Sequence, residues 1–119
     1  MKIAITAMGN TLESDVDPRF GRAKFFAIYE TDDGSVEFVD NEQSLNTPSG
    51  AGIQAGSNVV KSGAKVLITG NCGPKAFRTL DAAGIKVVIG AKGTVGEVAE
   101  GFKKGEYEYA TTANVEGHW

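Results

Sequence analysis

Thr69-Gly70-Asn71-Cys72-Gly73-Pro74 sets the only cysteine of the chain between an apolar run, Lys65-Val66-Leu67-Ile68, and a segment of helical character from Pro74 to Ala83. A strand-to-helix turn of this kind gathers three chemistries. Cys72 brings a soft sulfur, the first amides of a helix attract anions, and Gly70 and Gly73 allow close backbone approach because no Cβ stands in the way. Pro74 suits the first helical position, where its missing N–H has no partner to lose. Together these features point to a negatively charged ligand that could contain a metal. The alternative is a tight turn whose cysteine is a small buried hydrophobe.

Asp17-Pro18-Arg19-Phe20-Gly21-Arg22 is the second such stretch. Arg19 and Arg22 flank a Phe20-Gly21 turn, and arginine offers a planar, permanent positive charge suited to multivalent anions. The alternative is a solvated loop in which an Arg19–Asp17 pair contributes little. In an open α/β sheet, ligands bind beyond the carboxyl ends of the strands where the chain order reverses. Met8 and Asn10 would line that crevice on one side, Asn71, Cys72 and Gly73 on the other, with Lys92 in the nearby turn Gly90-Ala91-Lys92-Gly93. Met8 and Cys72 are then its soft-ligand candidates, although core packing is the more ordinary role for a methionine. His118 is a metal ligand only if the Tyr107–Trp119 tail folds back.

Several chemistries are excluded. The chain has no H-x-x-x-H, C-x-x-C, G-x-x-x-x-G-K or G-x-S-x-G arrangement. Gly50-Ala51-Gly52-Ile53-Gln54-Ala55 matches a loose dinucleotide pattern, but about ten residues separate it from the preceding strand, where the fingerprint demands direct entry from strand to turn. Two-metal nuclease chemistry needs clustered carboxylates, and Ile3, Ile5, Ala7 and their neighbours supply none. No catalytic constellation remains, so we expect a protein that is not an enzyme. The 119 residues suit one domain, 1–119, with a single core. A net charge of −3 without a Lys/Arg cluster argues against nucleic acid or an anionic membrane as partner. One cysteine, no signal-like leader and no long apolar segment lead us to expect a cytoplasmic protein.

The elements that must hold these residues follow from patterning. Residues 2–8 read as a strand buried on both faces. Residues 9–22 lack a period and read as a loop, expected to be mobile in Asn10–Arg22 when no ligand is present. Lys24–Thr31 and Val36–Asp40 read as strands joined through Asp32-Asp33-Gly34-Ser35, a hairpin signal. Residues 50–62 form a helix with Ile53, Val59 and Val60 on one face, followed by a strand at Lys65–Thr69. The next helix, Pro74–Ala83, presents Ala76, Phe77, Leu80 and Ala83, and Gly84 ends it in a left-handed cap. Ile85–Ile89 is a fifth strand. Thr94 and Glu97 make a capping box for a helix whose inner face is Val95, Val98, Ala99 and Phe102. The order β-β-β-α-β-α-β-α predicts a three-layer α/β/α domain with a mixed sheet, one antiparallel strand from the early hairpin, and the first strand central beside the Lys65 strand.

Four segments, MKIAITAMGN, DPRFGRAKFFAIY, PSGAGIQAG and TGNCGPKAF, occur in that order and resemble the dinitrogenase iron–molybdenum cofactor biosynthesis family, in particular its small stand-alone members from anaerobes. The likeness extends to the tail ANVEGHW. It implies a ribonuclease H-like fold with a five-stranded mixed sheet and no catalytic activity. It also implies binding of a molybdenum-containing sulfur cluster, of iron–molybdenum or copper–molybdenum type, or of its precursor, with a cluster donor or acceptor protein as a further partner. Many members carry histidine before the Phe-Gly-Arg element; Arg19 stands there in this chain, which implies anion recognition by arginine. The resemblance and the residues together nominate Met8, Asn10, Arg19, Phe20, Gly21 and Arg22 from the first half as cluster-binding. Asn71, Cys72, Gly73 and Lys92 join them from the second, with Cys72 and His118 as metal-ligand candidates. A small redox-sensing or interaction domain that uses Cys72 is the alternative.

Overall fold

Strict alternation along strand β1 (Lys2–Ala7) sets the layering. Ile3, Ile5 and Ala7 belong to one buried cluster and Ala4 to a second, on the opposite face of the sheet. The computed structural model describes residues 1–41 and 51–111, apart from the side chains of residues 51–53. Its remaining elements are β2 (Phe25–Glu30), β3 (Val36–Asp40), α1 (Ala51–Ser62), β4 (Val66–Ile68), α2 (Pro74–Ala82), β5 (Lys86–Val88) and α3 (Val95–Lys103), with a 3-10 turn at Phe20–Arg22.

The five strands form one sheet in the order β3-β2-β1-β4-β5. β2 runs antiparallel to both neighbours, with Ile3 opposite Tyr29 and Ile28 opposite Glu37. β4 and β5 run parallel to β1, with Ala4 beside Leu67 and Leu67 beside Val87. The expected mixed sheet with a central first strand and one antiparallel strand is therefore present. Val95, Val98 and Ala99 of α3 pack with Ile3, Ile5, Val66 and Ile68 on one face. On the other, Ala55 and Val59 of α1 and Ala76 and Leu80 of α2 pack with Ala4, Phe26 and Leu67. Burial of these aliphatic and aromatic side chains is the main stabilising term, at roughly 1.5–3 kcal/mol for each fully buried large residue.

Local signals are realised as geometry. Gly34 and Gly84 adopt φ of +76° and +78°, the left-handed conformation that the hairpin and the end of α2 require. Thr94 Oγ1 accepts the Glu97 N–H at 3.2 Å while Glu97 Oε1 accepts the Thr94 N–H at 2.9 Å, which completes the capping box. Two facial assignments are corrected. Val60 is exposed, because it lies about 100° around α1 from buried Val59. Ala83 is also exposed, because α2 has ended and Ala83 is its cap. The chain after α3 was not expected to pair, yet Ala110 N–H donates to Val87 O at 2.7 Å, along the edge of β5. His118 and the start of the PSGAGIQAG segment lie outside the described residues.

Candidate functional site

β1, β3, β4 and β5 all point the same way, since β2 alone is reversed. α1 ends just before β4 begins, and α2 ends just before β5 begins. Both helices therefore descend toward the amino ends of the strands and open at the carboxyl ends. α3 opens there too, because its first turn bonds to residues 12–14, which follow β1. Three positive helix ends thus share one edge of the sheet with the loops that carry Met8, Asn10, Arg19, Asn71 and Lys92.

These helix ends are not equivalent. The amides of α3 are consumed internally: Val95 N–H donates to Ser14 O and Gly96 N–H to Leu12 O, each at 2.9 Å, and the capping box takes Glu97. α2 instead opens on Gly73, whose backbone is extended (φ −76°, ψ 167°), with no side-chain cap and with Pro74 in its first turn. Its first amides are the ones placed to meet an external acceptor.

The loop after β1 is fastened along its length. Met8 N–H donates to Asp15 O, Val16 N–H to Gly93 O, Asp17 N–H to Thr6 O and Phe20 N–H to Asn71 O, at 2.9 to 3.2 Å. Asn71 Nδ2 donates to Pro18 O at 3.0 Å. Main-chain bonds thus tie the loop over Asn10–Arg22 to β1, to the β4–α2 turn and to the start of α3. Segment Asp15–Phe20 lies between Met8 and Asn71 and bonds to both.

Cys72 sits where the sequence places it, at the carboxyl end of a parallel strand and the amino end of a helix. Its side chain turns inward. The residue has no exposed surface and packs in the cluster containing Phe20, Phe26, Leu67 and Leu80. The thiol donates to Gly73 O at 3.7 Å, and burial pushes its pKa up to about 12. The expectation that Cys72 and Met8 face one crevice is therefore not met: Met8 is 54% exposed, and the sulfur of Cys72 is a protonated core group. Among the described residues no three His, Cys, Asp or Glu side chains converge as a metal site. Phe20 is also interior, with its ring centroid 5.7 Å from that of Phe26, and Gly21 is buried beside it. Both act as the anchor of the arginine turn. Arg22, which closes that turn, is partly buried, whereas Asn10 and Lys92 are exposed.

Arg19 reaches outward, its side chain half exposed, and Asp17 lies beneath it, its side chain 4% exposed. Asp17 Oδ1 accepts the Arg19 N–H at 3.0 Å and lies 3.9 Å from Arg19 Nε. Desolvation pushes the Asp17 carboxyl above its ordinary range, with the Arg19 N–H and charge acting in the opposite sense.

A family model described as dinitrogenase iron-molybdenum cofactor matches residues 1–105. The chain belongs to this family. The apo form of the orange protein from Desulfovibrio gigas is similar in structure, with a TM-score of 0.94 at 44% identity, covering 96% of each chain. A NifB-like protein from Thermotoga gives 0.83 at 40% identity over 98% of each chain. An uncharacterized protein of Methanocaldococcus jannaschii is 31% identical over 111 residues, 91% of this chain and 90% of its own.

In this member of the dinitrogenase iron-molybdenum cofactor family, the sequence reading passed over the buried polar junction under the site. Thr6 Oγ1 donates to Asp17 O at 2.7 Å and lies 2.9 Å from Thr69 Oγ1, and all three residues are buried. Signals for it existed. Thr6 is the single polar residue inside the apolar run Ile3–Met8, Thr69 closes the run Val66–Ile68, and an Asp two positions before Arg19 is placed for a side-chain-to-backbone turn.

Proposed function

We propose that this protein is a non-catalytic carrier of an anionic molybdenum- or iron-sulfur metallocluster or its precursor. The observation that carries the reading is the asymmetry at the carboxyl edge of the sheet: α3 is sealed by its own loop, whereas α2 opens uncapped beside the Arg19–Asn71 pairing. Exposed Arg19 and Lys92 add positive charge there, and Met8 offers a polarizable, exposed thioether. Membership of the family supports a metallocluster as the cargo. The orange protein, similar over almost the whole chain, was solved in an apo form, the term for a protein that also has a loaded state. We read the sheet order and the helices on both faces as a ribonuclease H-like architecture. β1 places no carboxylate on either face, which favours carrying over two-metal hydrolysis. The redox-sensing alternative loses its support, because the Cys72 pKa moves away from the thiolate range.

Anaerobic titration with tetrathiomolybdate, a sulfur-bearing molybdenum dianion, tests the carrier reading. Each charge-assisted contact contributes on the order of 1.5–3 kcal/mol. Changing Arg19 and Arg22 to Gln together should weaken binding at least as much as Cys72→Ser, and affinity should fall with added salt. Abolition by Cys72→Ser with the double variant unaffected would make the thiol the anchor and sink the electrostatic reading.

A further inference from the structure

Among the described residues, Asp17 is the one charged residue that the fold buries. Its backbone cannot shift easily, because the Asp17 N–H donates to Thr6 O at 2.9 Å and its carbonyl accepts the Thr6 hydroxyl at 2.7 Å. Its Oδ1 accepts the Arg19 N–H at 3.0 Å and stands 3.9 Å from Nε of the same residue. The guanidinium therefore has protein carboxylate on its inner side and solvent on its outer side, and the Arg19 backbone bridges Asn71, two residues before the Gly73 cap of α2.

We propose that Asp17 is a built-in counter-anion for Arg19, a positioning and specificity residue with which an arriving anion competes. As a consequence a proton enters at Asp17 as an anion binds, and multiply charged ligands, which draw that proton in more strongly, are favoured over monoanions. The inference rests on the carrier reading above and states how its site chooses cargo. Attraction to Arg19 and repulsion from the carboxylate behind it both scale with the ligand's charge, so with Asp17 ionised they largely offset for any anion. A dianion or trianion places more like charge near Asp17 than a monoanion does, favours the protonated carboxyl more strongly, and with the proton in place keeps the attraction of Arg19 unopposed. The proton comes from buffer or water, at most one per ligand bound. By linkage, proton and ligand favour each other equally.

Among the described residues, the charges around Asp17 are few. β1 presents neutral Thr6, and the β4–α2 turn presents Thr69, Gly70 and Asn71. Its own segment carries Arg19 and exposed Asp15, the adjoining β5–α3 turn carries Lys92, and the Glu97 carboxylate of α3 is engaged in the capping box. Burial and Arg19 account for the altered Asp17 carboxyl.

Anaerobic calorimetry with tetrathiomolybdate, run at about pH 7 in two buffers of different ionisation heat, tests the coupling. Wild type should take up a fraction of a proton per ligand, greatest between the free and the ligand-bound titration midpoints of Asp17 and vanishing below both. Asp17→Asn keeps an oxygen for the Arg19 N–H. It should bind the dianion about three- to tenfold more tightly, take up no proton, and gain affinity for the monoanion thiocyanate. Carbon-13 titration of the Asp17 carboxyl in the wild type needs no variant: its midpoint should move upward when tetrathiomolybdate is added. Binding with no proton uptake and an unmoved midpoint overturns the role of Asp17 and leaves the carrier reading standing. Failure of wild type to bind tetrathiomolybdate overturns the carrier reading, and the coupling falls with it.

Discussion

Gly70 and Pro18 meet so closely that a Cβ on Gly70 would lie 2.7 Å from the Pro18 α-carbon and 3.0 Å from its carbonyl oxygen. Both obstacles are backbone atoms, so no rotamer change relieves the overlap. The contact joins the β4–α2 turn to the arginine loop, and it exists only because residue 70 has no side chain. Gly70→Ala should therefore destabilise the fold by about 1–3 kcal/mol. Denaturant unfolding measures the loss, and amide shifts of Pro18's neighbours should change in the same variant. An unchanged unfolding midpoint would show that the two segments separate freely.

Cys72 should be inert in the native protein and sensitive to alkaline conditions through unfolding. Its folded pKa, about 12, lies above the ordinary value of 9.0. Raised folded pKa means that its contribution is complete below pH 9 and is lost as pH rises toward 12. The slope from this one group is at most about 1.4 kcal/mol per pH unit. Thiol modification by a chromogenic disulfide at neutral pH should follow opening of the structure, with rates that rise sharply in denaturant. Rapid labelling of the native protein would contradict the buried position.

The start of α3 should respond to Thr94→Ala with a loss of about 0.5–2 kcal/mol. Hydrogen exchange supplies a finer readout. Protection should fall at Glu97 and also at Val95 and Gly96, whose amides donate to Ser14 and Leu12 in the neighbouring loop. Acidification should act in the same direction: the Glu97 carboxyl is held below its ordinary range by the Thr94 N–H, so its contribution is present at neutral pH and fades on protonation. A loss of protection confined to Glu97 would mean that the loop and the helix are independent.

Asn41 anchors α1 to the arginine turn. Its Nδ2 donates to Ala23 O at 2.9 Å, and its Oδ1 accepts from Asn58 Nδ2 at 2.8 Å. Because Asn41 is fully buried, Asn41→Ala leaves polar groups without replacement by water and should cost about 1–3 kcal/mol. Asn58→Ala should cost less, since Asn58 is only partly buried. A double-mutant cycle should return a coupling between the two; additive losses would dissolve the pair.

The elements were legible because each carries its own local instruction. Alternation in Ile3-Ala4-Ile5, aspartate with Gly34 in the hairpin, Gly84 after α2 and Thr94 with Glu97 all act over a few residues. What could not be read was which side of a junction a residue would take. Val59 and Val60 are chemically alike, and only the direction of α1 decides that one is buried. Cys72 was equally suited to either side of its turn; the neighbours that enclose it, Phe20 and Phe26, come from residues far away in sequence. The loop of residues 9–22 lacks a period because backbone amides and carbonyls fasten it, and backbone groups leave no mark on residue type. Arg19 is conspicuous in the sequence by its charge beside Phe20-Gly21, yet the depth of Asp17 beneath it depends on the close approach of Thr6.

The fastening of that loop by main-chain bonds has an evolutionary consequence. Met8, Arg19 and Lys92 hold their positions through bonds made by the backbone of their own or adjacent residues, and their side chains carry little of the framework. Substitution at such positions alters the charge and polarity that the edge of the sheet presents while leaving the frame able to assemble. A lineage built on this frame can change the chemistry of that rim by single steps without passing through unfolded intermediates. The glycine at position 70, by contrast, offers no such latitude, and neither does the buried threonine pair, so innovation in this fold is confined to the rim.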